Sequence, residues 1–188
     1  MWSHDGSAAS PRLYRLGAAM LIAALAGGCF QPLYGERSLT GGPGLRGALA
    51  SVDVAEIPAQ PATAQARLAV EVRNELTYAL NHGGDALPPT HRLNVAITVT
   101  NQQLIVDPTT ARGEFEVVAL NATYSLVELS SSKRVVEGTA TARSSYDIPG
   151  QQQRYAMLRG QRESQSRAAK VIAEQIRNRL ASYFAAGS

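Results

Sequence analysis

The chain has 188 residues, 45% of them hydrophobic and 18% charged, with a formal net charge of +3 and a single cysteine. That length suffices for one domain with its own core, and one cysteine excludes an internal disulfide, so apolar burial has to carry stability. The charge balance is too weak to mark a nucleic-acid binder, and no apolar run reaches the roughly 20 residues that span a bilayer.

Arg12 and Arg15 precede an apolar run from Leu16 to Ala26, the layout of a signal-peptide core and too short for a transmembrane helix. Ala24-Leu25-Ala26 offers an A-x-A site for ordinary cleavage. Next comes Gly27-Gly28-Cys29, which resembles the lipobox of bacterial lipoproteins, whose cysteine is acylated and becomes the mature N-terminus. Ala26 stands where that motif usually carries leucine, with Leu25 one residue further back. A lone cysteine in a secreted chain calls for such an explanation. The reading is a lipoprotein precursor, with residues 1–28 as signal peptide and Cys29 as the lipidation site. One acyl chain anchors only marginally, so stable attachment through lipid takes a second signal.

Residues 29–50 hold many glycines and prolines and are expected to form a flexible, lipid-anchored tether. The remainder, 51–188, is expected to be one domain. Ser51 to Ile57 alternates Val52 and Val54 with Asp53 and Ala55, a short strand that Pro58 and Pro61 end. From Thr63 to Asn81 the period changes: Leu68, Val72, Leu76 and Leu80 recur every four residues, which predicts an amphipathic helix. His82-Gly83-Gly84 supplies its stop, since glycine accepts the left-handed conformation.

Pro88-Pro89 opens a β-rich half. Leu93, Val95, Ile97 and Val99 alternate with Asn94, Ala96, Thr98 and Thr100, and the strand runs on to Ile105 before Asp107-Pro108 turns it. Glu114 to Leu129 is a second strand with Val118, Leu120, Ala122, Tyr124 and Leu126 on one face. Ser130 to Lys133 makes a short turn into its hairpin partner, Arg134 to Asp147, whose small residues and Gly138 suit an edge strand. After Ile148-Pro149-Gly150, residues 154–185 are helical, with Leu158, Gln165, Ala168, Ala169, Ile172, Ile176 and Leu180 on one stripe. The order β-α-β-β-β-α gives an α+β fold with both helices on one face of a four-stranded, mostly antiparallel sheet.

Little in the chain suggests catalysis. His82, Asp85 and His91 lack the spacing of a zinc site, and Glu114 and Glu116 read as the solvated face of a strand. No nucleophile elbow, phosphate loop or dinucleotide fingerprint occurs. The expectation is no enzyme, no metal and no cofactor. Arginines do collect in two places: Arg112 in the turn after Asp107, and Arg154, Arg159 and Arg162 near the last strand-to-helix connection. Guanidinium groups there suit phosphate oxygens, while scattered solubilising charge explains them equally well.

Several segments together resemble the lipopolysaccharide-assembly lipoprotein (LptE) family. Phe30-Gln31-Pro32-Leu33-Tyr34-Gly35 is similar to the segment after the acylated cysteine, although the glycine that follows that cysteine in the family is missing here. Val70 to Leu76 resembles the first helix with its R-N-x-L segment, Leu120-Asn121-Ala122-Thr123 the V-N-A-T of a central strand, and Ala142 to Asp147 the strand before the last helix. The likeness spans nearly all of residues 29–184.

It implies two helices on a four-stranded sheet, held by lipid at the periplasmic side of the outer membrane. It also implies a role as plug and assembly partner of a large outer-membrane β-barrel translocon (LptD-like) in lipopolysaccharide export. Phe30, in place of the aspartate tied to inner-membrane retention, agrees with that membrane. The resemblance further implies contact with lipopolysaccharide through Arg112 and through Arg159, with Arg162 and Arg154 competing for the second role. The other class open to such a chain is a periplasm-facing lipoprotein that carries or chaperones a lipid or another envelope protein without entering a barrel. An apolar internal cavity would favour that class, and a packed core with a polar open sheet face the plug.

Overall fold

Strict alternation of apolar and polar residues forms a sheet only if one face is buried, and in this chain everything that does the burying lies on one side. The computed structural model describes residues 44–82, 84, 87–105, 113–148 and 154–186. Among them are three helices, α1 (Leu45–Ala50), α2 (Ala64–Asn81) and α3 (Arg154–Ala185), and four strands. The strands are β1 (Val52–Val54), β2 (His91–Ile105), β3 (Gly113–Glu128) and β4 (Arg134–Asp147), in the spatial order β1-β2-β3-β4. β1 lies parallel to β2, with α2 in the connection between them, and the other two pairings are antiparallel. The fold is the α+β arrangement that the sequence predicts.

Register puts the apolar residues of the long strands on one face. Leu93, Val95 and Ile97 stand opposite Leu126, Tyr124 and Ala122, and Leu120, Ala122 and Leu126 stand opposite Ala142, Ala140 and Val136. These residues are buried, and so are Leu68, Val72, Leu76 and Leu80 of α2 and Ile172, Ile176 and Leu180 of α3. Both helical stripes therefore close over the same sheet face. Thr63 caps α2, its Oγ1 accepting from the Ala66 N–H at 3.1 Å. The left-handed residue that stops α2 is His82 (φ 51°), one position ahead of the glycines expected to do so.

Three further details depart from the sequence reading. The tether was expected to run to residue 50, but Leu45–Ala50 is helix and Leu49 is fully buried in the core. Ser51 fixes this helix to the sheet: its Oγ donates to the Ala48 carbonyl at 2.8 Å and shares a hydrogen bond with Thr90 Oγ1 at 2.9 Å. Leu158, placed on the buried stripe of α3, is 41% exposed, because α3 meets the sheet from Gly160 onward. A β-carbon at Gly160 would lie 3.4 Å from the Tyr146 ring, so glycine lets the helix settle on the strand. Third, Glu116 does not belong to the solvated face: it pairs with Tyr146 and shares the inward side with Val118.

Gly138 acts through packing as well as by marking an edge. Its cross-strand partner is Tyr124, and a β-carbon at 138 would approach the tyrosine hydroxyl to 2.8 Å. The ring fills the space that glycine leaves empty. A side-chain hydrogen bond also joins the helices to each other, with the exposed Arg67 Nη2 on α2 donating to the buried Gln165 Oε1 on α3 at 3.0 Å.

Truncation of this core should be costly. Leu76→Ala and Ile176→Ala, both at fully buried positions, should each lower the unfolding free energy by about 2–5 kcal/mol in denaturant titrations. Losses under about half a kcal/mol at both positions would contradict the packing described above.

Candidate functional site

With one face closed by helices, the chemistry that remains lies on the open face, the sheet edges and the ends. The open face is polar and made of small side chains: Asn94, Thr98 and Thr100 of β2, Asn121 and Thr123 of β3, and Thr139 and Thr141 of β4 are all exposed. A groove of about 680 Å³ crosses it, from Glu56 and Pro58 over Ala96 and Thr123 to Arg134 and Thr139. Its lining offers hydroxyls, the carboxylates of Glu56 and Glu137, and the Arg134 guanidinium, which is paired with Glu137 at 3.0 Å.

The edges are treated differently from the face. Gln175 of α3 reaches the outer edge of β4 and pairs with Thr141 as a strand would: its Oε1 accepts from the Thr141 N–H at 3.2 Å and its Nε2 donates to the Thr141 carbonyl at 3.0 Å. Arg167 donates to the Ser145 carbonyl at 2.9 Å and to Ser144 Oγ at 3.1 Å, while Glu163 holds it at 2.8 Å. On the far side, Arg73 of α2 donates to the Val54 carbonyl of β1 at 3.1 Å. Beyond the end of β1, Gln65 donates to the Ile97 carbonyl of β2 at 3.2 Å. Side chains of the two long helices thus cap backbone groups that would otherwise attract another strand.

At the end of the sheet near the start of α3, apolar and cationic groups are exposed together. Leu104 stands opposite Phe115 across β2 and β3, and both are exposed. Tyr155 (85% exposed) and Leu158 lie on the first two turns of α3, with Arg154, Arg159 and Arg162 also exposed. These three arginines have no hydrogen-bond or ion-pair partner among the described residues, unlike Arg167 one turn further on. Residues 155, 158, 159 and 162 share one side of the helix by their spacing. Sequence reasoning found the arginines but missed Tyr155, whose only signal is its i, i+3 relation to Leu158. Cys29 and Arg112 lie outside the described residues, as does Asp85. Among the described residues no group of His, Cys, Asp or Glu could hold a metal ion, and no helix is long and apolar enough to cross a membrane.

Beside this end, burial and then the neighbouring Glu116 carboxylate push the Tyr146 hydroxyl well above its usual range, although no acceptor meets hydrogen-bond geometry with it. At the other end of the molecule, two histidines are held below their ordinary value of 6.5. His82 is lowered by burial first and then by Arg177 and Arg46. His91 is lowered by burial, with Glu128 opposing, where its ring meets Phe184 edge-on at 5.2 Å and its Nδ1 contacts Thr90 Oγ1 at 2.8 Å.

No protein-family model and no curated protein matches the chain. Solved structures do match it. A protein of Caulobacter crescentus, named provisionally as a lipoprotein, superposes with a TM-score of 0.62 at 20% identity, over 77% of this chain and 98% of its own. A minor lipoprotein of Acinetobacter baumannii gives 0.49 at 14% identity, over 72% and 93%. The rare lipoprotein B of Shewanella oneidensis gives 0.40 at 16%, over 72% and 92%. The Caulobacter likeness takes in nearly all of that chain, at an identity that speaks for the fold alone.

The histidines generate a pH dependence. Because both bind a proton less readily when folded than when unfolded, their stabilising contribution is complete above about pH 6.5 and is lost as pH falls through that value towards the folded pKa. Melting temperature should therefore drop on acidification from about pH 8 to about pH 5, and His91→Gln should flatten part of that drop. A melt that is steeper in the variant, or more stable in acid, would contradict the assignment.

Proposed function

We propose that the protein is an envelope lipoprotein, anchored through acylated Cys29 at the periplasmic side of the outer membrane, and that it plugs a large β-barrel and assists its assembly during lipopolysaccharide export. The observation that carries this reading is the one-sided architecture: a core filled by leucine, isoleucine and valine beneath two helices, and a polar sheet face left uncovered. Such a body stays folded while it offers a hydrogen-bonding surface to the polar lumen of a barrel. The lipobox-like Gly27-Gly28-Cys29 and the family resemblance of residues 29–184 supply the membrane and the partner. The Caulobacter protein of similar fold, itself named provisionally as a lipoprotein, supports the envelope part of this reading. In this role the protein binds and positions, and it performs no catalysis.

The carrier reading calls for an apolar cavity large enough for a lipid chain. Here the inward-facing leucines, isoleucines and valines of the two long helices and all four strands pack on one another, which favours the plug. Arg159 belongs to the exposed cluster on α3, where an uncompensated guanidinium is free for a phosphate; Arg112 enters through the family resemblance.

Two experiments test this. Full-length protein captured from detergent-extracted envelopes should begin at a lipid-modified Cys29 by mass spectrometry and bring with it one large barrel protein in equal amount. An unmodified N-terminus at Gly27 or Phe30, or capture without any barrel, would refute the reading. In the full-length chain, Arg112→Asp combined with Arg159→Asp should weaken lipopolysaccharide retention by about tenfold or more, since each charge-assisted hydrogen bond is worth about 1.5–3 kcal/mol before screening. Unchanged retention with the barrel complex intact would remove the arginines from the lipopolysaccharide contact and leave the plug.

A further inference from the structure

Among the described residues, side chains meet the edges of this sheet at several points and leave one stretch without a cap. The outer edge of β4 is capped at Thr141 and Ser145 by Gln175 and Arg167, and its first half carries the Arg134–Glu137 ion pair. β1 is capped at Val54 by Arg73 and β2 at Ile97 by Gln65. β1 pairs with β2 only as far as Leu93, so beyond Ile97 the edge of β2 has no strand beside it among the described residues. Backbone groups alternate along a strand, and the Leu93 and Ile97 carbonyls both point to this side. Val99, Asn101 and Gln103 therefore direct their N–H and C=O groups outward in the same direction.

The side chains there carry no gatekeeper. From Leu93 to Ile105 the sequence contains no charged residue and no proline, which are the usual means of keeping an exposed edge from pairing. Thr98, Thr100, Asn101, Gln102 and Gln103 are exposed and uncharged.

We infer that this edge pairs with the same edge of a second copy of the chain, β2 against β2, antiparallel about a two-fold axis near Asn101, so that two four-stranded sheets join into one of eight strands. Three features favour a second copy over a foreign strand. An antiparallel edge is self-complementary under a two-fold rotation, so each residue's donor and acceptor meet their counterparts without a second sequence. An uncharged edge meets its own copy with no like-charge penalty. With the axis at Asn101, the Asn101 amide of one copy also faces that of the other, and two amides can donate to and accept from each other. The pairing leaves the open face and the exposed arginines of α3 uncovered, and it belongs to the protein outside a barrel, since a lumen that holds one copy has no room for the joined sheets.

The test uses the full-length chain in detergent micelles, examined by sedimentation at matched solvent density across a range of protein concentrations. The unsubstituted chain should sediment as a concentration-dependent dimer. Asn101→Lys, which sets two ammonium groups beside the axis, should weaken association by about tenfold or more while the circular-dichroism melt stays unchanged. Asn101→Cys should form a disulfide dimer on oxidation beyond any seen in the unsubstituted chain, and Arg143→Cys, on β4, should not. A monomer at every concentration would overturn the inference, as would a dimer indifferent to Asn101→Lys. Oxidative capture in envelopes of a different protein at Asn101→Cys, with no self-adduct, would assign the edge to a foreign strand and equally overturn it.

Discussion

The structure depends on one constraint: a sheet covered on a single side has a single face from which to draw hydrophobic stabilisation. α3 meets most of that demand. Its 32 residues run about 48 Å and lay Ile172, Ile176 and Leu180 over β3 and β4, while α2 covers β1 and β2 with Leu68, Val72, Leu76 and Leu80. The same helices send Gln175, Arg167, Arg73 and Gln65 to the strand edges. Burial and edge protection therefore come from the same two elements, and disturbing either helix disturbs both functions.

Coverage is not uniform along the strands. The inward face of β2 turns from Leu93, Val95 and Ile97 to Asn101 and Gln103, and that of β3 from Leu120 and Val118 to Glu116. The polar residues begin where the helical stripes stop. At that end Leu104 and Phe115 are exposed on the open face of the sheet. The described residues thus form a covered half that holds the core and an uncovered half whose side chains are exposed.

Much of this was legible in the sequence, because the signals were local. A four-residue apolar period specifies α2, and strict alternation specifies the long strands, whichever partner they find. What escaped required distant contacts. Helix α1 has six residues in a glycine-rich segment, too short to stand on its own propensity, and it exists because Leu49 is buried. The role of Gly138 requires knowledge that Tyr124 lies opposite, which only register supplies. Leu158 obeys the helical period of α3 and is exposed all the same, since periodicity places residues on a stripe without showing how far along the helix a sheet lies beneath it. For the candidate site, the sequence located Arg159 on the last helix. It gave no hint that Arg73, Arg167 and Gln175, which read as ordinary surface residues, are occupied at strand edges.

The bidentate grip of Gln175 on Thr141 has a consequence for geometry at larger scale. A sheet with two adhesive rims can be extended by further copies from either side, and the product is a ribbon of indefinite length. Here one rim is already satisfied by an amide from the molecule's own helix, in the place where the next strand would sit. Growth through the sheet has nowhere to continue once the other rim is filled, so any object built from it is finite. Gln175, with Arg167 beside it, thus occupies the rim at which a further strand would add.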